Sequence, residues 1–259
     1  MCLSRPLLKL INGSINFAIT GDVNFKIIRK NSAIEEGKCF KNYYLENEDQ
    51  IDIISTKKTV FGYLAIHGGF KIDKEWKSYS TNTKAKVGAN NGEKFSLGQK
   101  IYIKNTKTEK IKEKIINYKF FSKNTIRVIK GTNFDYFSEE AKDNFLKKEY
   151  QVTNVSDRMG MRLEGPVLEN IVNTNIKSEG LIKGVVQVPA DGKPIILFSD
   201  HGTIGGYPKI AVVIAADYDK AVQLTPGSKI KFENISLNEA EKIYKLYCNE
   251  TKSYIDEIK

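Results

Sequence analysis

Two apolar runs, Gly184 to Val188 and Pro194 to Phe198, stand on either side of Pro189-Ala190-Asp191-Gly192-Lys193. This stretch constrains the fold more than any other. Each run is too short to hold a helix on its own. The Asp-Gly pair at the centre of the spacer supplies turn chemistry, because Asp bonds nearby backbone and Gly accepts positive φ. The segment therefore reads as a β-hairpin.

The same grammar recurs along the chain. Ser14 to Ile19, Lys26 to Arg29 and Gln50 to Ser55 alternate polar and apolar residues or are apolar in short runs. Thr59 to Ile66 is β-branched and aromatic, and Ile101-Tyr102-Ile103, Arg127-Val128-Ile129, Ile210 to Ile214 and Lys229 to Phe232 complete the set. Gly, Asn and Asp separate them, which predicts antiparallel sheet. The lysine-dense stretch Lys104 to Lys119 reads either as a linker or as a strand charged on one side. Helical signals are few. Ser138 precedes Glu139 and Glu140 and then Ala141, Phe145 and Leu146, so a serine cap and two acids oppose the helix dipole. This helix is expected to end near Glu149. Tyr218 to Leu224 predicts a short helix, and Leu237 to Lys259 spaces its apolar residues at helical period. The expectation is a mainly β fold with a few short helices, in an N-terminal lobe over 1–125 and a C-terminal lobe over 126–259.

The net charge of +10 does not make this a nucleic-acid binder. Lysines supply nearly all of it and are scattered, whereas nucleic-acid recognition favours a basic stripe and arginine forks. Cys2, Cys39 and Cys248 form no CxxC pair, which suits a reducing compartment. No apolar run reaches the length of a membrane span, and the N-terminus has no signal-peptide layout. The expectation is a soluble cytoplasmic protein that binds neither nucleic acid nor membrane. With two histidines in the chain, no metal site is expected.

Two stretches carry candidate chemistry. Ser156 to Pro166 holds Arg158 and Arg162, two of five arginines in a chain that otherwise uses lysine. Arginine is needed where a planar, two-pronged donor meets carboxylate or phosphate. The plainer alternative pairs Arg158 or Arg162 with Glu164 or Asp157 to pin a turn. The second stretch, Asp200-His201-Gly202-Thr203-Ile204-Gly205-Gly206-Tyr207-Pro208, lies between two apolar strands. It offers an acid, a base and two hydroxyls. Gly205-Gly206 permits close backbone approach or positive φ, and a polar loop between core strands is a common place for a site. The plainer alternative is a connecting turn in which Asp and Thr bond their own backbone. No Walker loop, GxSxG elbow or HExxH is present.

Together these stretches resemble the biotin-dependent carboxyltransferase / allophanate hydrolase subunit 2 family, which includes the C subunit of bacterial 5-oxoprolinase. Ser156 to Gly165 is similar to its Ser-Asn/Asp-Arg-Met-Gly-Tyr-Arg-Leu-Glu-Gly motif, with Met161 at the tyrosine. The run Gly184 to Pro189, with Val185, Gln187 and Val188, resembles its Gly-x-Ile-Gln-Val-Pro strand. Asp200, Thr203 and Gly205 to Pro208 match Asp-x-x-Thr-Thr-Gly-Gly-Tyr-Pro, with Ile204 at the second threonine. Phe134 to Phe145 is similar to its Asp-x-Phe-Ser helix start, and Thr59 to Phe70 to its Ala-Tyr-Leu-Ala-Val-x-Gly-Gly segment. Gly131-Thr132-Asn133 departs from its Gly-Pro-Gln. The family's opening segment, with Gln-Asp-x-Gly-Arg-x-Gly, is not in this sequence.

The resemblance implies two cyclophilin-like β-barrel lobes. It implies the C subunit of an ATP-dependent 5-oxoprolinase, an amide (lactam) hydrolase active only with partners. Those partners are a B-type subunit, similar to allophanate hydrolase subunit 1, and a further oxoprolinase subunit. ATP with Mg enters through the complex. In this reading Arg158, Asp200 and His201 are catalytic: Arg158 opposes developing charge, and Asp200 or His201 moves protons. Arg162, Glu164, Thr203, Gly205, Gly206, Tyr207 and Pro208 bind substrate or phosphate. Two alternatives stay open. One is the carboxyltransferase part of a biotin-dependent urea carboxylase, although no biotin is carried on this chain. The other is a non-catalytic regulator that binds the B-type subunit.

Overall fold

The computed structural model describes residues 5–118, 124–172 and 175–257. The chain divides into two compact units. The first runs up to Lys57 and resumes over Phe61–Asn117; the second takes Lys58–Val60 and the chain from Tyr118 onward.

The first unit holds strands β1 (Leu7–Lys9), β2 (Ile15–Thr20), β3 (Val23–Ile28), β4 (Ile34–Glu36), β5 (Asn42–Leu45), β6 (Gln50–Thr56) and β7 (Tyr63–Ile66). They form a sheet of order β1-β6-β3-β4 and another of order β5-β2-β7. Alternation buries Ile15, Phe17 and Ile19 on β2 and Val23, Phe25 and Ile27 on β3, as a strand with one wet face requires. Tyr43 stacks on Phe17 at 5.5 Å and meets Phe25 edge-on at 5.8 Å. Gly37 is needed here, because a Cβ would lie 2.1 Å from the Phe25 ring.

Two expected strands are shorter than the apolar pattern suggests. Over Thr59 to Ile66 only Tyr63–Ile66 is strand. The preceding backbone leaves the first unit, and the Val60 N–H bonds to the Gln223 carbonyl instead. Ile101 to Ile103 makes a single bridge, Ile103 to Phe70. Gly68 and Gly69, both left-handed at φ +79° and +82°, turn the facing chain away before a ladder can extend. The lysine-dense stretch is not a strand either. It follows the sheet edges through isolated bridges from Lys107 to Ser14 and from Ile115 to Lys41.

The second unit comprises β8 (Thr125–Lys130), α1 (Glu139–Lys147), β9 (Tyr150–Val152), β10 (Gly160–Glu164), β11 (Glu179–Gly180), β12 (Val185–Gln187), β13 (Ile195–Leu197), β14 (Ile204–Gly205), β15 (Lys209–Val213), α2 (Ala215–Val222), β16 (Lys229–Asn234) and α3 (Leu237–Asp256). Seven strands close a barrel in the order β10-β13-β12-β15-β8-β16-β9. Every neighbouring pair given a register is antiparallel except β8 and β16, which run parallel. The predicted hairpin is β12–β13, with Val186 opposite Ile196. Its turn closes with Gly192 N–H on the Pro189 carbonyl, 3.0 Å, and Gly192 at φ +70°. Ile126, Phe145, Met161, Val186, Ile196 and Phe232 belong to the barrel core, where Phe145 stacks on Phe232 at 4.3 Å. No helix among the described residues is long and apolar enough to cross a membrane.

The cap of α1 is as expected: Ser138 Oγ accepts the Ala141 N–H at 3.1 Å. Ser138→Ala is expected to lower the stability of the second unit by about 1 kcal/mol. The measurement is a urea unfolding midpoint followed by far-UV circular dichroism. An unchanged midpoint would mean that packing of Ala141 and Phe145 alone sets the helix start. Helix α2 begins three residues ahead of the expected Tyr218, so that Asp217 sits in its first turn.

Candidate functional site

The two sequence motifs meet, and they meet through the arginine. Arg158 stands in the turn before β10, and Asp200 in the turn after β13. Antiparallel pairing of Gly160 with Leu197 brings these turns together. The Phe198 N–H bonds to the Met159 carbonyl at 2.9 Å, and the Asp200 N–H to the Arg158 carbonyl at 3.0 Å. The side chains then close a two-pronged pair. Arg158 Nε donates to Asp200 Oδ2 at 2.9 Å and Nη2 to Oδ1 at 3.1 Å. The Asp200 side chain is 15% exposed and that of Arg158 51%. The carboxylate is therefore held, while the guanidinium keeps one side in solvent.

The plainer alternative for these arginines is not what forms around Glu164. That carboxylate takes Lys193 Nζ at 2.8 Å, on the exposed surface. Asp157 does pin the turn through the backbone: Oδ1 accepts the N–H groups of Met159 and Gly160 at 2.8 and 3.2 Å. His201 Nδ1 lies 2.5 Å from the Gly202 carbonyl oxygen. A carbonyl only accepts, so Nδ1 is the donor in this contact, which leaves Nε2 as the nitrogen facing away from it.

The loop 199–208 then runs to the far end of the β12–β13 ladder. There β14 pairs with β11, placing Gly205 opposite Glu179. Neither Gly205 nor Gly206 takes the left-handed conformation; both are glycine because of close approach. A Cβ on Gly205 would lie 2.8 Å from Leu181 and 3.0 Å from Gln187 Nε2, and one on Gly206 2.9 Å from the Ile176 carbonyl oxygen. The Thr203 carbonyl accepts the Leu181 N–H, and the Pro208 carbonyl the Val188 N–H. The Tyr207 carbonyl accepts Gln187 Nε2 at 3.3 Å, while its ring is exposed.

Beneath this ribbon the registers line up a row. Arg162 faces Ile195, Ile195 faces Gln187, and Gln187 faces Lys209. The residues beside them, Met161, Leu163, Val186, Val188, Ile196 and Ile210, belong to the barrel core. Alternation therefore turns the row to the outer face. Four adjacent strands span about 14 Å, which sets the backbone separation of Arg162 and Lys209. Arg162 is exposed, and its guanidinium makes no hydrogen bond or ion pair among the described residues. Lys209 is buried, with its ammonium paired to Glu179 of β11. Its main chain is fixed on both sides: Lys209 N–H donates to Asn133 Oδ1 at 3.0 Å, and the Asn133 N–H donates to the Lys209 carbonyl at 3.2 Å.

The candidate site thus has two parts, the Arg158–Asp200 pair with His201 and the row from Arg162 to Lys209. Reading the sequence singled out the first part and Arg162. It passed over Lys209 and Glu179. The available signal was a lone lysine opening the apolar strand Lys209-Ile210-Ala211-Val212-Val213, where a charge has to be paired to be buried.

Residues 1–234 match the family model described as carboxyltransferase domain, subdomain A and B. The chain is 35% identical over 180 residues to the C subunit of 5-oxoprolinase from Escherichia coli (strain K12), covering 70% of this chain and 58% of that protein. It is 29% identical over 259 residues to the 5-oxoprolinase C subunit of Haemophilus influenzae, covering 97% of this chain and 83% of that protein. Its fold is similar to the K. lactis urea amidolyase structure, with a TM-score of 0.82 at 22% identity over 96% of this chain and 16% of that one.

Proposed function

The chain belongs to the carboxyltransferase domain family, subdomain A and B, and from that premise we propose that it serves as the C subunit of an ATP-dependent 5-oxoprolinase. The observation that carries this reading is the likeness to two 5-oxoprolinase C subunits over most of the chain. A protein named as a C subunit implies further subunits, and we assign this chain a B-type partner and a third oxoprolinase subunit.

A lactam is a poor electrophile. ATP, entering through the complex with its Mg²⁺, would phosphorylate the amide oxygen and make the ring carbon electrophilic enough for water to add, so that the ring nitrogen leaves with a proton and the phosphate is then released from the opened chain. This chain's residues have separate tasks. Arg158, oriented by Asp200, opposes negative charge as it develops. Asp200 is committed to that arginine, so His201 Nε2 is the group that takes a proton from water. Arg162 has no carboxylate of its own and meets an anionic group of the bound reactants. Gly205 and Gly206 keep the ribbon against the barrel, with Tyr207 over the row.

The test is ATP-dependent glutamate release from 5-oxoproline by the native candidate partner subunits, with and without this chain. Release is expected only in the full mixture. Equal release without this chain would remove the subunit assignment. A stable complex without turnover would favour the regulatory role.

A further inference from the structure

Lys209 and Glu179 form a contact that the proposed chemistry does not use. The lysine side chain is 7% exposed, and its ammonium meets a glutamate that is itself 45% exposed. Glu179 belongs to a ribbon of two residue pairs, β11–β14, that lies over Gln187. The Lys209 main chain is clamped by Asn133, and Gly131 packs so tightly there that a Cβ would lie 2.2 Å from the Lys209 carbonyl oxygen. The lysine's main chain is thus fixed to the barrel and its stem is buried, while its counterion sits on a two-pair ribbon. A rigid charge facing an exchangeable partner is the arrangement of a binding group held in readiness. The neighbouring Gln187 Nε2 adds a second donor along the row.

We infer that Lys209 is the anchor for a carboxylate of the substrate, and that Glu179 occupies this anchor until the substrate displaces it. This deepens the oxoprolinase reading and rests on it for the choice of ligand. 5-Oxoproline carries a carboxylate that ring opening leaves unchanged, so its site needs a fixed cation separate from the reacting amide. A compact ammonium suits this task, since it neutralises a carboxylate as a point charge.

The test uses the full chain and equilibrium binding by calorimetry. The probes are 5-oxoprolinate, acetate, inorganic phosphate and the uncharged 2-pyrrolidinone. Removal of the internal competitor in Glu179→Ala is expected to tighten 5-oxoprolinate and acetate about tenfold, with 2-pyrrolidinone unchanged. Lys209→Met is expected to abolish binding of both carboxylates. Because the Glu179→Ala result is a gain, it does not depend on Lys209→Met folding. Binding of 5-oxoprolinate at the same affinity in all three proteins would overturn the Lys209 assignment and leave the oxoprolinase reading standing. Acetate that follows both substitutions while 5-oxoprolinate binds none of the three proteins would keep the carboxylate anchor and remove the oxoprolinase reading. Phosphate alone responding to Glu179→Ala, or no probe responding, would overturn the anchor.

Discussion

Asp217→Ala is expected to destabilise the second unit by about 3–5 kcal/mol, the usual effect of removing one partner from a buried charged network. The Asp217 carboxylate is 3% exposed. It accepts the backbone N–H of Arg127 at 2.8 Å, Arg127 Nε at 3.0 Å and Nη2 at 2.6 Å. Lys220 Nζ stands 3.2 Å away and also bonds to the Thr125 carbonyl. Alanine would leave two cations and a backbone N–H facing an empty site, at the joint between α2 and β8. Burial alone would raise the Asp217 carboxyl, but the Arg127 hydrogen bonds and the charges of Lys220 and Arg127 hold it below the ordinary carboxylate range. Burial pushes the Lys220 ammonium the other way, more strongly than Asp217 restores it. The stabilising half of the network is therefore Asp217 with Arg127.

The sign of the acid dependence follows. A carboxyl lowered on folding contributes stability that is fully present above its unfolded value, about 3.9, and is lost as pH falls through the folded value. Asp217→Asn should remove that part of the acid sensitivity and flatten the stability curve below about pH 4. Urea unfolding at several pH values, read by amide exchange in β8 and α2, would check both statements. The one tryptophan, Trp76, lies in the first unit and supplies an internal reference that should not shift. Loss of less than about 1 kcal/mol in Asp217→Ala would mean that water reaches the vacated site and satisfies Arg127.

The second large effect concerns turnover. Arg158→Ala is expected to lower kcat/KM for glutamate release by about 10²-fold in the reconstituted enzyme, the scale of losing one charge-stabilising donor. Asp200→Ala should lose a comparable factor, because the guanidinium then has no fixed direction. The double variant should be no worse than about threefold below either single one, since residues that act as a unit are not additive. Arg158→Lys keeps the charge but not the fork and should recover little. The Arg158 guanidinium is half exposed, so the thermal midpoint of Arg158→Ala should move little. Fully additive losses, or full recovery by lysine, would show that the two residues act separately.

Legibility in the sequence varied with the range of the interaction. The β12–β13 hairpin and the start of α1 were readable because turn chemistry and the cap lie within a few residues of what they organise. Ile101 to Ile103 was not, because an apolar run becomes a strand only where a neighbour offers a ladder, and two left-handed glycines remove it. At the site, residue type pointed to Arg158 and Asp200, but their pairing spans 42 positions and depends on the β10–β13 register. Lys209 carried a weak local signal, a charge opening an apolar strand, but its partner Glu179 lies 30 positions away and is known only once β11 and β14 are paired.

The parallel pairing of β16 with β8 has a consequence for how the protein is made. β16 is the last strand among the described residues, yet it lies between β8 and β9, which precede it in sequence. On the ribosome, the six other strands of the barrel emerge before residues 229–234 do, and until then β8 and β9 each present an unpaired edge. Open edges of this kind template association with other chains. Translation that stalls short of Lys229 would therefore release a sheet with two adhesive rims, and protection of that intermediate falls to whatever holds nascent chains apart.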